Sequence, residues 1–287
     1  MLYKLLLTGF IIMLLAACTS PVDKDGAEKT GVVVTILPQQ EFVSRVGGDK
    51  IDVTVMVPPG ANPHTYEVTP AQMVKLSRAR IYFKVGSPIE FELAWLDKLI
   101  AANKGMTVVD CSKGVELIQS DDPDEPGADA HIWTSPRNVK IMVRNICDGL
   151  AQTDPAGRQL YEKNRDAYLA EMDKLDSDIR AALKGAAHQT FIVYHPGWGY
   201  FARDYGLKQT CIEQGGKEPQ AAYLARLITE ARAQNIKIIF VSPAFDTRSA
   251  EAVAREIGGR TVIVDNLAGN YLENMRRVAA AFSEAVK

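Results

Sequence analysis

Eight short β-branched runs fall into two groups of four, separated by one long charged stretch of helical pattern. The first group is GVVVTIL, IDVTVMV, RIYFKV and MTVVD; the second is TFIVYH, KQTCIE, KIIFVS and RTVIVD. Strands this apolar, with helical patterns between them, are those of parallel sheets covered on both faces. The arrangement predicts an α/β fold of two lobes, each a mostly parallel four-stranded sheet flanked by helices. No sequence repeat relates the two groups.

The separating stretch is DPAGRQLYEKNRDAYLAEMDKLDSDIRAALKG. Asp154 suits an N-cap, Pro155 the first helical position and Gly185 the stop. Leu160, Tyr168, Met172, Leu175, Ile179 and Leu183 form one apolar stripe. At ~1.5 Å per residue such a helix is roughly 45 Å long, more than one small lobe needs. It reads as a strut that joins the lobes and restricts hinge opening. The expected organisation is an N-terminal lobe over 31–150, a linking helix over 151–185 and a C-terminal lobe over 186–287.

Residues 1–17 stand apart from the fold. MLYK is followed by LLLTGFIIMLLAA, an apolar run too short to span a bilayer, and then by Cys18. LAAC resembles a bacterial lipobox, in which cleavage leaves Cys18 as the lipidated first residue; the alternative is an ordinary signal peptide with a chance cysteine. Residues 18–30 read as a polar, flexible tether. An exported protein held to a membrane by lipid, facing the periplasm or the cell exterior, is expected. With a formal net charge of -2 and no basic stripe, nucleic acid is excluded as a partner. Cys111, Cys147 and Cys211 are an odd set without CxxC spacing, so thiolate metal chemistry is not expected. Cys147 reads as a small core residue, and a Cys111–Cys211 disulfide is left open.

Only four histidines occur. His64, in VPPGANPHTYEVTP, follows a strand and precedes the helix-starting pair Thr69-Pro70. His131, in DAHIWTSP, precedes Ser135-Pro136, the same punctuation. His195 comes directly after the strand TFIVY, and Asp265 directly after TVIV. Ligand groups in open parallel sheets gather beyond the carboxyl ends of strands. Two facing lobes would bring His64 and His131 from one side and His195 and Asp265 from the other. Three imidazoles with one carboxylate suit a borderline cation, zinc above all, and unrelated surface histidines are the alternative. Imidazoles must be neutral to ligate, so binding is expected to weaken as pH falls towards ~6. Glu67 and Asp129 are candidates to hold the rings of His64 and His131. Glu218 reads as a helix start, His188 as a surface residue, and Trp198 and Tyr200 as core aromatics.

PPGANPHTYEVTP, DAHIWTSP, YHPGWGYFARDYGL and VDNLAGNYLENMR, in this order around a long helix, resemble the substrate-binding lipoproteins of zinc and manganese ABC importers. The similarity covers about residues 31–287. It implies a metal held between two lobes joined by a backbone helix, with His64, His131, His195 and Asp265 as its ligands, and an ABC importer permease as partner. Two places depart from the family pattern: His195-Pro196-Gly197 stands where His-Asp-Ala is common, and Asp265-Asn266-Leu267 where Asp-Pro-Leu is common, and neither change removes a ligand. Members that carry manganese tend to have a carboxylate at the third ligand position, so His195 favours Zn2+ over Mn2+. The acidic loop 120–129 has no histidine and reads as a solvated segment rather than an auxiliary collector. The expected function is capture and delivery of zinc by a monomer, without catalysis. Manganese or iron transport of the same type, a zinc hydrolase and a metal-stabilised adhesin are the competing readings. No HExxH motif supports the hydrolase.

Overall fold

Among the described residues eight strands form two parallel four-stranded sheets; seven lie within the apolar runs, and the first begins one residue ahead of its run, at Thr30. The computed structural model describes residues 29–119, 127–214 and 219–285. The leader 1–17, Cys18, most of the tether, residues 120–126 of the acidic loop and Glu218 lie outside the described residues. In the N-terminal half the elements are β1 (Thr30–Val34), α1 (Leu37–Gly47), β2 (Ile51–Val55), α2 (Pro70–Leu76), β3 (Ile81–Lys84), α3 (Glu90–Ala102), β4 (Thr107–Asp110) and α4 (Pro136–Thr153). After α5 (Arg158–Ala182) come β5 (Thr190–Val193), α6 (Gly199–Tyr205), β6 (Lys208–Cys211), α7 (Ala221–Ala233), β7 (Ile238–Val241), α8 (Arg248–Glu256), β8 (Arg260–Ile263) and α9 (Tyr271–Ala285).

The strand orders are β2-β1-β3-β4 and β6-β5-β7-β8, so the two halves share one topology. Register pairs Val32 with Val53 and Ile81 in the first sheet, and Ile192 with Thr210 and Ile239 in the second. Burial on both faces holds for the central strands; β7 is buried at all four residues. The edge strands are looser, and β8 leaves Ile263 70% exposed. An edge strand has a neighbour on one side only, which leaves room for solvent at the margins of the covering helices.

The long helix differs from expectation at its start. Residues Pro155–Gly157 form a 3-10 turn, and the α-helix runs from Arg158 to Ala182, 25 residues or about 37 Å. Asp154 closes α4 through its N–H to the Leu150 carbonyl, while its carboxylate accepts from the Tyr161 hydroxyl at 2.7 Å. Tyr161, not Leu160, begins the buried stripe: Tyr161 is fully buried and Leu160 is 39% exposed. At 3.6 residues per turn, position 161 lies about 20° from position 168 around the axis, whereas position 160 lies about 80° away. Gly185 sits beyond the helix end with φ 88°, a conformation glycine adopts without strain.

Helix α5 packs on α1 and α4 from the first half and on α9 from the second. One continuous apolar cluster contains Val34 and Phe83 of the first sheet, Tyr168 and Met172 of α5, and Phe191, Phe240 and Phe282 of the second half. Polar ties cross between the halves as well. Glu41 of α1 accepts from the Tyr168 hydroxyl at 2.8 Å and from the Tyr271 N–H at 2.6 Å. Trp198 and Tyr200 are core residues, and the Tyr200 hydroxyl donates to the Asp129 carbonyl at 2.8 Å. Cys111 and Cys147 are buried, and no disulfide forms among the described residues. His188 is exposed beyond α5.

Candidate metal centre

Each of three histidines is fixed by its own short loop. His64 lies between β2 and α2. Its N–H donates to Asn62 Oδ1 at 2.9 Å, and the Asn62 carbonyl accepts from both Thr65 and Tyr66. Thr69 then caps α2 with Pro70 at the first helical position, as the sequence punctuation requires. His131 precedes the 3-10 turn Ile132–Thr134, and its backbone N–H donates to Asp129 Oδ1 at 2.8 Å. His195 stands just past the carboxyl end of β5.

Ligand atoms of His64, His131 and His195 all lie within 4.8 Å of one another. In each ring, Nδ1 faces a carboxylate: Glu90 at 3.0 Å for His64, Asp129 at 2.8 Å for His131 and Glu213 at 3.0 Å for His195. An ionised carboxylate only accepts, so Nδ1 carries the proton and Nε2 is left with its lone pair. His131 Nε2 and His195 Nε2 stand 3.2 Å apart. Two lone pairs at that distance repel unless a proton or a cation lies between them. Carboxylate-backed imidazoles that present Nε2 inward are the usual arrangement of a zinc site.

The electrostatics differ from ring to ring. Burial is the main influence on His195, whose side chain is only 8% exposed; it lowers the pKa, and the neighbouring histidines add to that effect against Glu213. Burial would also lower His64, but the Glu90 hydrogen bond and charge, with Glu213 beyond, outweigh it and hold the pKa above the ordinary value. Phe245, from the segment after β7, stacks on the His195 ring at 4.4 Å and 18° between planes. Pro63, Ile89, Trp133, Asn266 and Leu267 complete the wall.

Asp265 stands outside the group of three. It lines an adjoining cavity with the Pro58–Ala61 loop and Pro243–Ala244, and its Oδ1 accepts from the Leu267 N–H at 2.8 Å. Burial pushes its carboxyl pKa up. Glu67 is exposed, and the carboxylate at His64 is Glu90 from the first turn of α3. Sequence reasoning missed Glu90, Glu213 and Phe245. Glu213 had a signal, since it closes the apolar run KQTCIE at a strand end like His195 and Asp265. Glu90 had none, because its approach to His64 depends on packing between separate loops.

The family described as zinc-uptake complex component A, periplasmic (ZnuA), matches residues 32–285. The high-affinity zinc uptake system protein ZnuA of Bacillus subtilis is 31% identical over 274 residues, covering 90% of this chain and 86% of that protein. The iron ABC transporter substrate-binding lipoprotein MtsA of Streptococcus pyogenes is also 31% identical, over 89% of this chain and 86% of its own. A crystal structure of ZnuA superposes with a TM-score of 0.86 at 40% identity, covering 91% of this chain and all of the other. With its paired parallel sheets, long joining helix and three gathered imidazoles, this chain belongs to the ZnuA family of zinc-uptake substrate-binding components.

Proposed function

We propose that the protein binds Zn2+ outside the cytoplasm through His64, His131 and His195 and delivers it to an ABC-type importer. The observation that carries this reading is the convergence of three imidazoles within 4.8 Å, each with a carboxylate on Nδ1. The zinc relative and the iron relative are equally identical to this chain, so overall similarity does not choose the metal. The donor set favours zinc: neutral imidazoles suit a borderline cation, whereas manganese prefers carboxylate oxygen. The three carboxylates nearest the rings are engaged with Nδ1 atoms, which supports a holding site without a general base for hydrolysis.

In this reading the importer permease is the protein partner, the chain acts as a monomer, and lipid on Cys18 keeps it at the membrane. No helix among the described residues is long and apolar enough to cross a membrane. Asp265, in the adjoining cavity, is a carboxylate in reach of the region but not of the triad as it stands. Thermal melting at neutral pH tests the proposal. Zinc at 100 times its Kd should stabilise by about 2.7 kcal/mol, a clear rise in Tm, while magnesium at the same concentration leaves Tm unchanged. A protein whose Tm ignores zinc at pH 7.5 would refute the site.

A further inference from the structure

The side chain of Asn266 has no role in the triad and is nevertheless built into its wall. It is 8% exposed, lies beside His131, His195 and Trp133, and its Oδ1 is buried without a hydrogen-bond partner among the described residues. Buried amide oxygens ordinarily have a donor, and leaving one without is costly. The backbone here is already committed. The Asp265 carbonyl accepts from Asn274 Nδ2 and the Asn266 carbonyl from Trp133 Nε1, both at 2.6 Å. Only the side-chain torsions of Asn266 remain adjustable.

Space for this amide comes from Gly197, two residues after His195. A Cβ added there would lie 2.6 Å from Asn266 Nδ2 and 3.4 Å from His131 Cδ2. Gly197 is not among the glycines with positive φ, so its backbone does not demand glycine. What the position requires is an absent methyl. Asn266 and Gly197 are also where the chain departs from Asp-Pro-Leu and His-Asp-Ala, and the contact makes the two departures one mechanical unit.

We propose that Asn266 governs the fourth coordination position of the bound metal, its Oδ1 accepting a hydrogen bond from a water that arrives on the ion. This rests on the zinc-binding reading of the three histidines. The missing partner of an acceptor must be a donor, and the triad has none left: each Nδ1 proton faces a carboxylate and each Nε2 offers a lone pair. A cation-bound water is a strong donor because the ion withdraws charge from its O–H bonds. Asp265, the nearby alternative, lines the adjoining cavity rather than the wall of the triad, and its Oδ1 accepts from Leu267.

Chelator-competition titration and the visible spectrum of the cobalt(II) complex test this. Asn266→Ala should weaken zinc about tenfold and alter the cobalt spectrum, as loss of a partner outside the ligand shell does. The metal-free variant should melt no lower than the parent, because an unsatisfied acceptor has been removed. Gly197→Ala should also weaken zinc, since its methyl displaces the amide. Added to Asn266→Ala it should cost no more than about twofold further, the non-additivity of two residues in contact. Unchanged affinity and spectrum in Asn266→Ala would overturn the inference. So would a spectrum that responds to Asp265→Ala alone, which would assign the position to that carboxylate. Failure of the parent protein to bind zinc would instead refute the reading on which this one stands.

Discussion

Glu213 offers the sharpest test of how the centre is held. Its Oε2 lies 3.0 Å from His195 Nδ1, and both side chains are only 8% exposed. In so dry a place the pair is a charge-assisted hydrogen bond that fixes the ring, selects the tautomer with a free Nε2 and raises the basicity of that nitrogen. Partners of this kind are worth 10–100-fold in metal affinity, about 1.4–2.7 kcal/mol at roughly 1.4 kcal/mol per tenfold. Glu213→Ala removes orientation and charge together and should sit at the upper end. Glu213→Gln keeps an acceptor for Nδ1–H and should lose only about tenfold, the lower bound. Proton competition cannot account for either loss. Burial already lowers the His195 pKa, and removing Glu213 takes away a group that raises it, so the ring is more often neutral in the variants. The deficit should therefore persist at pH 8. Competition titration against a chromophoric chelator at pH 6, 7 and 8 measures it. Glu213→Ala within twofold of the parent at pH 8 would refute the idea that this carboxylate sets the ring.

Two further outcomes follow from other parts of the molecule. Glu90 holds the His64 pKa above the ordinary 6.5, so His64 keeps its proton to higher pH and zinc must displace it. Zinc affinity should accordingly start to fall above pH 6.5 as the solution is acidified, and Glu90→Gln should move that onset to lower pH; an unmoved onset in the titration series would contradict the assignment. In α5, Tyr161→Ala should cost about 3–5 kcal/mol in urea unfolding, as for large buried aromatic residues, whereas Leu160→Ala should stay within about 0.5 kcal/mol. Equal costs would mean that the helix is rotated from the orientation described.

The strands were legible because their composition reports burial directly. Val32, Val34, Phe191, Ile192 and Phe240 are apolar for the reason that they are central, and no other placement would keep them from water. The three histidines were legible from a topological rule, since loops leaving the carboxyl ends of parallel strands share one rim. Periodicity was less exact in α5. Leu160 and Tyr161 are adjacent and both apolar, and the choice between them turned on where the 3-10 turn hands over to the α-helix. The carboxylates behind the rings were the least legible. Asp129 is local to His131 and could be named, but Glu90 reaches His64 across a fold whose packing no short window encodes.

The distribution of contacts also bears on how a bound ion leaves. Parting the two halves would divide a single apolar cluster that runs through α5, and would break the Glu41 ties to Tyr168 and Tyr271, the Trp133 bond to Asn266 and the Tyr200 bond to Asp129. Closely packed interiors do not stretch gradually, so such opening is an all-or-none loss of much of the core. The loop of His64 is held quite differently. Its ring is 28% exposed, its nearest carboxylate is 47% exposed, and its backbone bonds close a turn within the loop itself. The loop is still tied to the first half, since Pro63 is buried and Ala61 and Tyr66 pack against the cluster around Val57 and Phe91. In the proposed centre His131 and His195, 13% and 8% exposed, are therefore the more enclosed pair, and His64 is the ring nearest to solvent.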